Sequence, residues 1–241
     1  MTMSQAPAIA PPFSLKEAIA KGVQSIKGNL WPILVLQAGA IILVWAYYAY
    51  PGVRESLKGL EALKRQGGVP FALLVGFAAG GIIPEAAKLV TGKVKPPYDK
   101  WLKDAFFNGC VIAVVALLVY LFYEYVQAPL WGTTPDLPTI IKKVATDMGV
   151  ASPFCFVYFT TLAFLWKNEG FSVRRLVPHL KHQFFRRQVL QLMVPCWMVW
   201  IPILCCVYSL PQDLQFPVSQ VAEAAWCLML ALLTKPTEAA S

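Results

Sequence analysis

Residues 131–153 read WGTTPDLPTIIKKVATDMGVASP, a polar island between two apolar runs. The run that ends near Gln127 and the run that begins near Val150 are each too long and too poor in charge to be ordinary core helices of a soluble protein. About twenty apolar residues in a helix match the hydrocarbon thickness of a bilayer, so the island reads as the connection between two membrane spans.

Working outward, the same pattern repeats. Of 241 residues, 57% are hydrophobic and 14% charged, well outside the range of soluble domains. The expected fold is therefore all-α, a polytopic transmembrane helical bundle with interfacial amphipathic helices. The net charge of +8 comes from Lys and Arg in short loops between apolar runs. No recognisable nucleic-acid motif accompanies them, so no nucleic-acid partner is expected. Cys110, Cys155, Cys196, Cys205, Cys206 and Cys227 fall in or beside apolar runs without a C-x-x-C pair, which points to buried thiols rather than to a zinc site or a disulfide framework.

Toward the N-terminus, residues 1–13 carry neither the Arg nor the apolar core of a targeting peptide and read as an extended tail. Ser14 and Glu17 form a capping box for a surface helix with Ile19, Val23 and Ile26 on one face. Residues 31–50 contain no charge and are bounded by Trp31-Pro32 and by Tyr47, Tyr48 and Tyr50, the aromatic belts of span 1. Residues 53–67 alternate charges with Leu57, Leu60 and Leu63 as a short amphipathic element. Span 2, residues 70–90, carries Gly76, Gly80 and Gly81 as a small-residue face suited to close helix approach. It also holds Glu85 and Lys88, three apart and able to pair.

The loop 91–104 carries four lysines, and span 3 follows over 105–125. Span 4 covers 149–166, with Thr160 and Thr161 able to bond back to the preceding turn. The segment 167–192 is the most basic. Arg174, Arg175, Lys181, Arg186 and Arg187 opposite its apolar positions describe a helix on an anionic surface, with cardiolipin or another anionic phospholipid as the expected ligand. His179 and His182 lack a further ligand nearby, so no metal is expected. Span 5, residues 193–210, contains Pro195 and Pro202 and should be kinked or broken. A tight polar turn over 211–217 leads to span 6, residues 218–233, which holds Gln220 and Glu223.

With six spans, fourteen Lys and Arg share the side of both termini and six lie opposite. That asymmetry orients the termini toward the cytoplasm or matrix. An ionisable or strongly polar residue inside the membrane is a functional candidate, which singles out Glu85, Lys88, Gln220 and Glu223. No nucleophile and base pair, metal cluster or phosphate loop is present, and no enzymatic activity is expected.

The run 132–153, with Lys142, Lys143, Asp147 and Pro153, resembles a segment of the Mpv-seventeen and peroxisomal membrane protein (PMP-twenty-two) family. There a Gly-containing turn precedes a helix with paired lysines, then Asp-Gln, then a Pro opening the next span; position 148 here is Met. The resemblance continues through Tyr120 to Glu124, Gly170-Phe171-Ser172, Leu180 to Phe184, and residues 215–230 with Trp226. It covers about 55–233, leaving 1–54 as an N-terminal tail, surface helix and additional span, and 55–241 as the family-like membrane domain. The resemblance implies a non-catalytic protein of the mitochondrial inner membrane, with the peroxisomal membrane as the alternative. Two readings follow. One is an accessory subunit of a larger membrane complex, such as a respiratory-chain or ATP-synthase assembly, joined to other subunits through the Gly76/Gly80 face and span 1. The other is a stand-alone pore or solute facilitator. The family's polar series in the fifth span is replaced here by WIPILCCVY (200–208), and a path lined by Cys205, Cys206, Ile and Leu would solvate ions poorly. The island itself is expected to be an interfacial helix in which Asp147 caps or pairs locally.

Overall fold

A computed structural model describes residues 19–20, 23–24, 29–181 and 184–233. The N-terminal tail and most of the expected surface helix, including Ser14, Glu17 and Ile26, lie outside the described residues, as does His182. The described residues form seven principal helices and no strand: α1 (Leu30–Ala49), α2 (Pro51–Val90), α3 (Asp99–Trp131), α4 (Leu137–Asn168), α5 (Val173–Lys181), α6 (Leu190–Tyr208) and α7 (Gln212–Leu233). Among them α1, α2, α3, α4 and α6 are long and apolar enough to cross a membrane. The protein is an integral-membrane-type helical bundle. At 22 residues α7 is about 33 Å long. Asp213, Gln215, Gln220 and Glu223 lower its hydropathy, yet it lies along α2 and α6 as a full member of the bundle.

α1 stops where Pro51 removes a backbone donor. Tyr50 turns extended, and Pro51 then opens α2 at a position that lacks an intrahelical acceptor anyway. The 40 residues of α2 exceed a bilayer span, and the helix breaks at Gly68, whose φ of 47° suits glycine. This break separates the amphipathic stretch from the apolar one. Beyond it, α2 packs closely on α3. A Cβ at Gly76 would sit 2.4 Å from the Ala116 methyl, and one at Gly80 would sit 2.4 Å from Ile112. At Gly81 it would meet the Ala105 carbonyl oxygen at 2.9 Å. The Gly76/Gly80 face is thus filled by α3 of the same chain, which corrects the expectation that it is open to another subunit.

α2, α3, α4, α6 and α7 close a ring, with α1 outside it against α6, α2 and α7. The core lies where α3, α6 and α7 meet, around Val199, Ile203, Leu204, Val207, Tyr208, Leu210, Leu214 and Phe216. Only Ile33 and Tyr47 of α1 are buried. Its attachment is polar as well as apolar. Pro202 has no N–H to give the carbonyl four residues earlier, and the Gln37 side-chain amide donates to that carbonyl, Met198 O, at 2.8 Å. At the other end the Tyr48 hydroxyl donates to Ser209 O at 2.5 Å. α6 is a continuous helix through both prolines.

Two expected boundaries shift. Residues 212–217 are the first turns of α7, not a turn between helices. α4 begins at Leu137, inside the polar island, and runs without interruption into span 4. Its N-cap is Asp136, whose carboxylate accepts from the Thr139 amide at 2.9 Å. From Asp147 to Phe156 the helix widens into a π-type stretch that accommodates Pro153 and turns Asp147, Met148, Ala151 and Ser152 into the bundle.

Candidate functional site: a polar chain beside an intramembrane cavity

Inside a bilayer a buried carboxylate needs hydrogen-bond partners from its own protein. Asp147, 3% exposed, finds them across the bundle. The Tyr208 hydroxyl of α6 donates to Oδ2 at 2.6 Å, and the Ser152 hydroxyl donates to Oδ1 at 3.1 Å. Tyr208 accepts in turn from Gln127 Nε2 of α3 at 2.7 Å, and the same amide reaches Lys143 O at 3.2 Å. The ammonium of Lys143, a residue 1% exposed, donates to Gln212 Oε1 at 3.3 Å and Gln215 Oε1 at 3.4 Å. It also lies 5.6 Å from the Tyr208 ring. Gln212 Nε2 closes the set on Tyr123 O at 3.2 Å. Four helices, α3, α4, α6 and α7, are joined by one chain of hydrogen bonds.

The polar island therefore supplies a buried element. Asp147 neither caps its helix nor pairs only locally: it binds Ser152 on its own helix and Tyr208 on α6, 61 residues away. Lys142, by contrast, is exposed and lies 5.6 Å from the Trp131 ring. Asp136, in the loop before α4, has its carboxyl held below the ordinary value by the Thr134 hydroxyl and the Thr139 amide.

Beneath this chain a cavity of about 310 Å³ opens between α3, α4, α6 and α7. At 1.5 Å per residue, its lining from Ile112 to Tyr123 extends about 16 Å along the bundle. Asp147, Ser152, Tyr123 and Ser219 line one end, Gln220 and Glu223 the middle, and Thr160 and Thr161 lie further along. Gln220 is 6% exposed, and its Oε1 has no hydrogen-bond partner among the described residues. Glu223 receives a contact from Cys227 at 3.5 Å. The hydroxyls of Thr160 and Thr161 bond back to Phe156 O and Val157 O, as expected. α6 contributes Cys196, Trp200 and Leu204 to the wall, while Cys205 and Cys206 do not line it. The wall is mostly apolar, with Asp147, Ser152, Thr160 and Thr161 of α4 and Ser219, Gln220 and Glu223 of α7 as its polar side chains beside Tyr123 of α3.

The four intramembrane candidates divide into two places. Gln220 and Glu223 line the cavity, whereas Glu85 and Lys88 pair with each other at 2.6 Å near the end of α2. Asn108 lies at 3.5 Å from the same Glu85 oxygen. Arg174, Arg175 and Arg186 are exposed, and the side chains of Lys181 and Arg187 lie outside the described residues. His179 pairs with Glu169 at 3.1 Å, an acidic partner ten positions upstream.

Sequence reasoning missed Gln127, Tyr208, Gln212 and Gln215. The available signal was Lys143 and Asp147 at i and i+4 on a helix that also had to bury Val144, Met148 and Ala151. Both charges then face the same interior and require polar partners there. A second missed cluster joins α2, α3 and α7. Lys64, 3% exposed, contacts Glu124 at 2.5 Å and Asp213 at 3.0 Å, and Arg65 meets Asp213 at 3.3 Å.

These features define the class: an all-α membrane-spanning bundle with an interior cavity, mostly apolar, into which a few polar side chains project. Comparison of the chain with protein-family models, curated proteins and solved structures gives no match.

Proposed function

We propose that this chain is a non-catalytic membrane protein that gives a small polar solute a path through the bilayer, a solute facilitator of the Mpv-seventeen-like kind. The observation that carries the reading is the cavity itself. Polar side chains at bilayer depth are costly, and here Asp147, Ser152, Ser219, Gln220 and Glu223 face one elongated space between four helices. Gln220 presents an unpartnered carbonyl oxygen there, available to a passing donor. The resemblance of residues 132–153 favours an organelle membrane, the mitochondrial inner membrane before the peroxisomal one.

Flux of graded polar solutes into proteoliposomes tests this. Glu223→Gln and Gln220→Leu should each change the rate or the solute preference. Flux no greater than in protein-free vesicles, or flux indifferent to both substitutions, would falsify the reading. Cys196 adds a structural readout: alone in a cysteine-free background, it should react with a water-soluble thiol reagent from one side of the membrane.

A second reading, an accessory subunit of a larger assembly, is favoured by α1. Its apolar flank, including Trp31, Val35, Ile41, Ile42 and Trp45, is exposed outside the ring. Co-migration with a large complex after mild detergent extraction would support it, and a free protein with full flux would count against it.

A further inference from the structure

On the side of the bundle opposite Asp147, the end of α2, the segment 91–98, the start of α3 and the end of α4 enclose a second cavity of about 480 Å³. Lys88, Lys93, Lys95, Lys100 and Lys167 line it, along with Glu85 and Asp104. Both carboxylates are already neutralised: Lys88 binds Glu85 at 2.6 Å and Lys167 binds Asp104 at 2.8 Å. Lys93 donates to the last carbonyls of α7, Ala231 O and Leu232 O. Among the described residues Lys95 and Lys100 make no ion pair, so the space carries a net positive charge with two ammonium groups uncommitted there. Trp101 also lines it, and its indole N–H is buried without an acceptor among the described residues. An aromatic donor and free lysines around one concave space match the needs of an oxyanion.

We propose that this cavity is a binding site for a phosphate group. Lys95 and Lys100 supply charge, and the Trp101 N–H supplies a directed hydrogen bond. The phosphate is that of an anionic phospholipid headgroup or of a soluble phosphate ester. Val90, Leu102 and Phe106, exposed on the adjoining turns of α2 and α3, would lie against acyl chains in the lipid case. The charge asymmetry of the loops puts the site on the positively charged membrane side, where basic clefts between spans hold headgroups. The site does not depend on the facilitator reading, since none of its lining residues belongs to the other cavity.

The test uses the full chain in a mild nonionic detergent, with thermal unfolding as readout. Short-chain phosphatidylglycerol, short-chain phosphatidylcholine, glycerol 3-phosphate and inorganic phosphate are the probes. Phosphatidylglycerol should raise the melting temperature in a saturable way. Lys95→Gln with Lys100→Gln should weaken its apparent affinity about twenty-five-fold, at about fivefold per lysine. Lys58→Gln, exposed on the amphipathic first part of α2 and outside both cavities, should leave the affinity unchanged. Stabilisation by phosphatidylglycerol alone assigns the phosphate to a lipid headgroup, and equal stabilisation by glycerol 3-phosphate or inorganic phosphate assigns it to a soluble source; either supports the site. The proposal is overturned if no probe stabilises the protein, if phosphatidylcholine matches phosphatidylglycerol, or if the double lysine variant retains full affinity. Should that variant fail to fold, Trp101→Phe decides: weaker binding by several-fold supports the site, and unchanged binding overturns it.

Discussion

Replacing Tyr208 with Phe removes one oxygen and leaves the packing of the ring in place. That oxygen donates to Asp147 at 2.6 Å and accepts from Gln127 at 2.7 Å, so two buried bonds are lost at once. The ring keeps its tilted contact with Tyr123 at 5.2 Å between centroids. A hydrogen bond to a charged group is worth about 1.5–3 kcal/mol and a neutral one about 1 kcal/mol. Partial replacement is available, because Asp147 keeps Ser152 and Gln127 keeps Lys143 O. The expected net loss is therefore about 2–3 kcal/mol, most of it from the bond to Asp147. Reversible denaturant unfolding in mild detergent measures it, followed by tryptophan fluorescence. A double-mutant cycle with Asp147→Ala, which removes the acceptor, isolates the pair. Coupling across such bonds in membrane proteins averages about 0.6 kcal/mol and reaches about 1.7 kcal/mol. The charge and the short distance place this pair near the upper end. Additive effects, or a Tyr208→Phe protein as stable as the parent within about 0.5 kcal/mol, would refute the view that the chain of bonds holds α4 to α6.

Gly80→Val should destabilise by about 1–3 kcal/mol or shift α2 away from α3, read as a lower melting temperature, because its first carbon already overlaps Ile112. Lys64→Ala should cost about 2–3 kcal/mol in the same unfolding assay. It strips Glu124 and Asp213 of their shared cation, and the partial exposure of both carboxylates keeps the loss at the low end. Asp136→Ala should lower the melting temperature more than Asp136→Asn, since only the former removes the cap. Because the folded carboxyl titrates below its ordinary value of 3.8, its contribution is complete above that pH and fades as pH falls through the lowered folded value. The gap in melting temperature between the parent and Asp136→Asn should therefore close in acid; a gap constant down to pH 2 would contradict the assignment.

The long apolar runs at 31–50, 70–90, 105–125 and 149–166, poor in charge, were legible because each is a local property, composition over one helix length. The break before span 2 was legible for the same reason, since Gly67, Gly68 and Pro70 interrupt the pattern where the structure bends. The Glu85 and Lys88 pair followed from spacing along one helix. What escaped was tertiary. Asp147 and Tyr208 lie on different helices, and periodicity carries no information about which faces meet. The glycine face illustrates the limit well. Its small side chains announced a close neighbour without saying that α3 would be that neighbour. The same holds for the cavity, whose few polar side chains come mainly from α4 and α7 and meet only through the packing of those helices.

The bond between Gln37 and the carbonyl left open by Pro202 bears on the order of events during synthesis. α1 is made about 160 residues before the acceptor it serves, as the sequence separation of 161 shows. Until α6 arrives, the Gln37 amide has no Met198 carbonyl to meet, and a newly inserted α6 has a carbonyl facing lipid until α1 reaches it. Each helix enters the bilayer incomplete, and each is completed by the other. The first span is thus a partner that α6 can meet only after both have been made. A chain carrying Gln37→Leu should insert normally and yet leave α6 prone to late rearrangement, visible as increased reactivity of Cys205 or Cys206 in pulse-labelled protein.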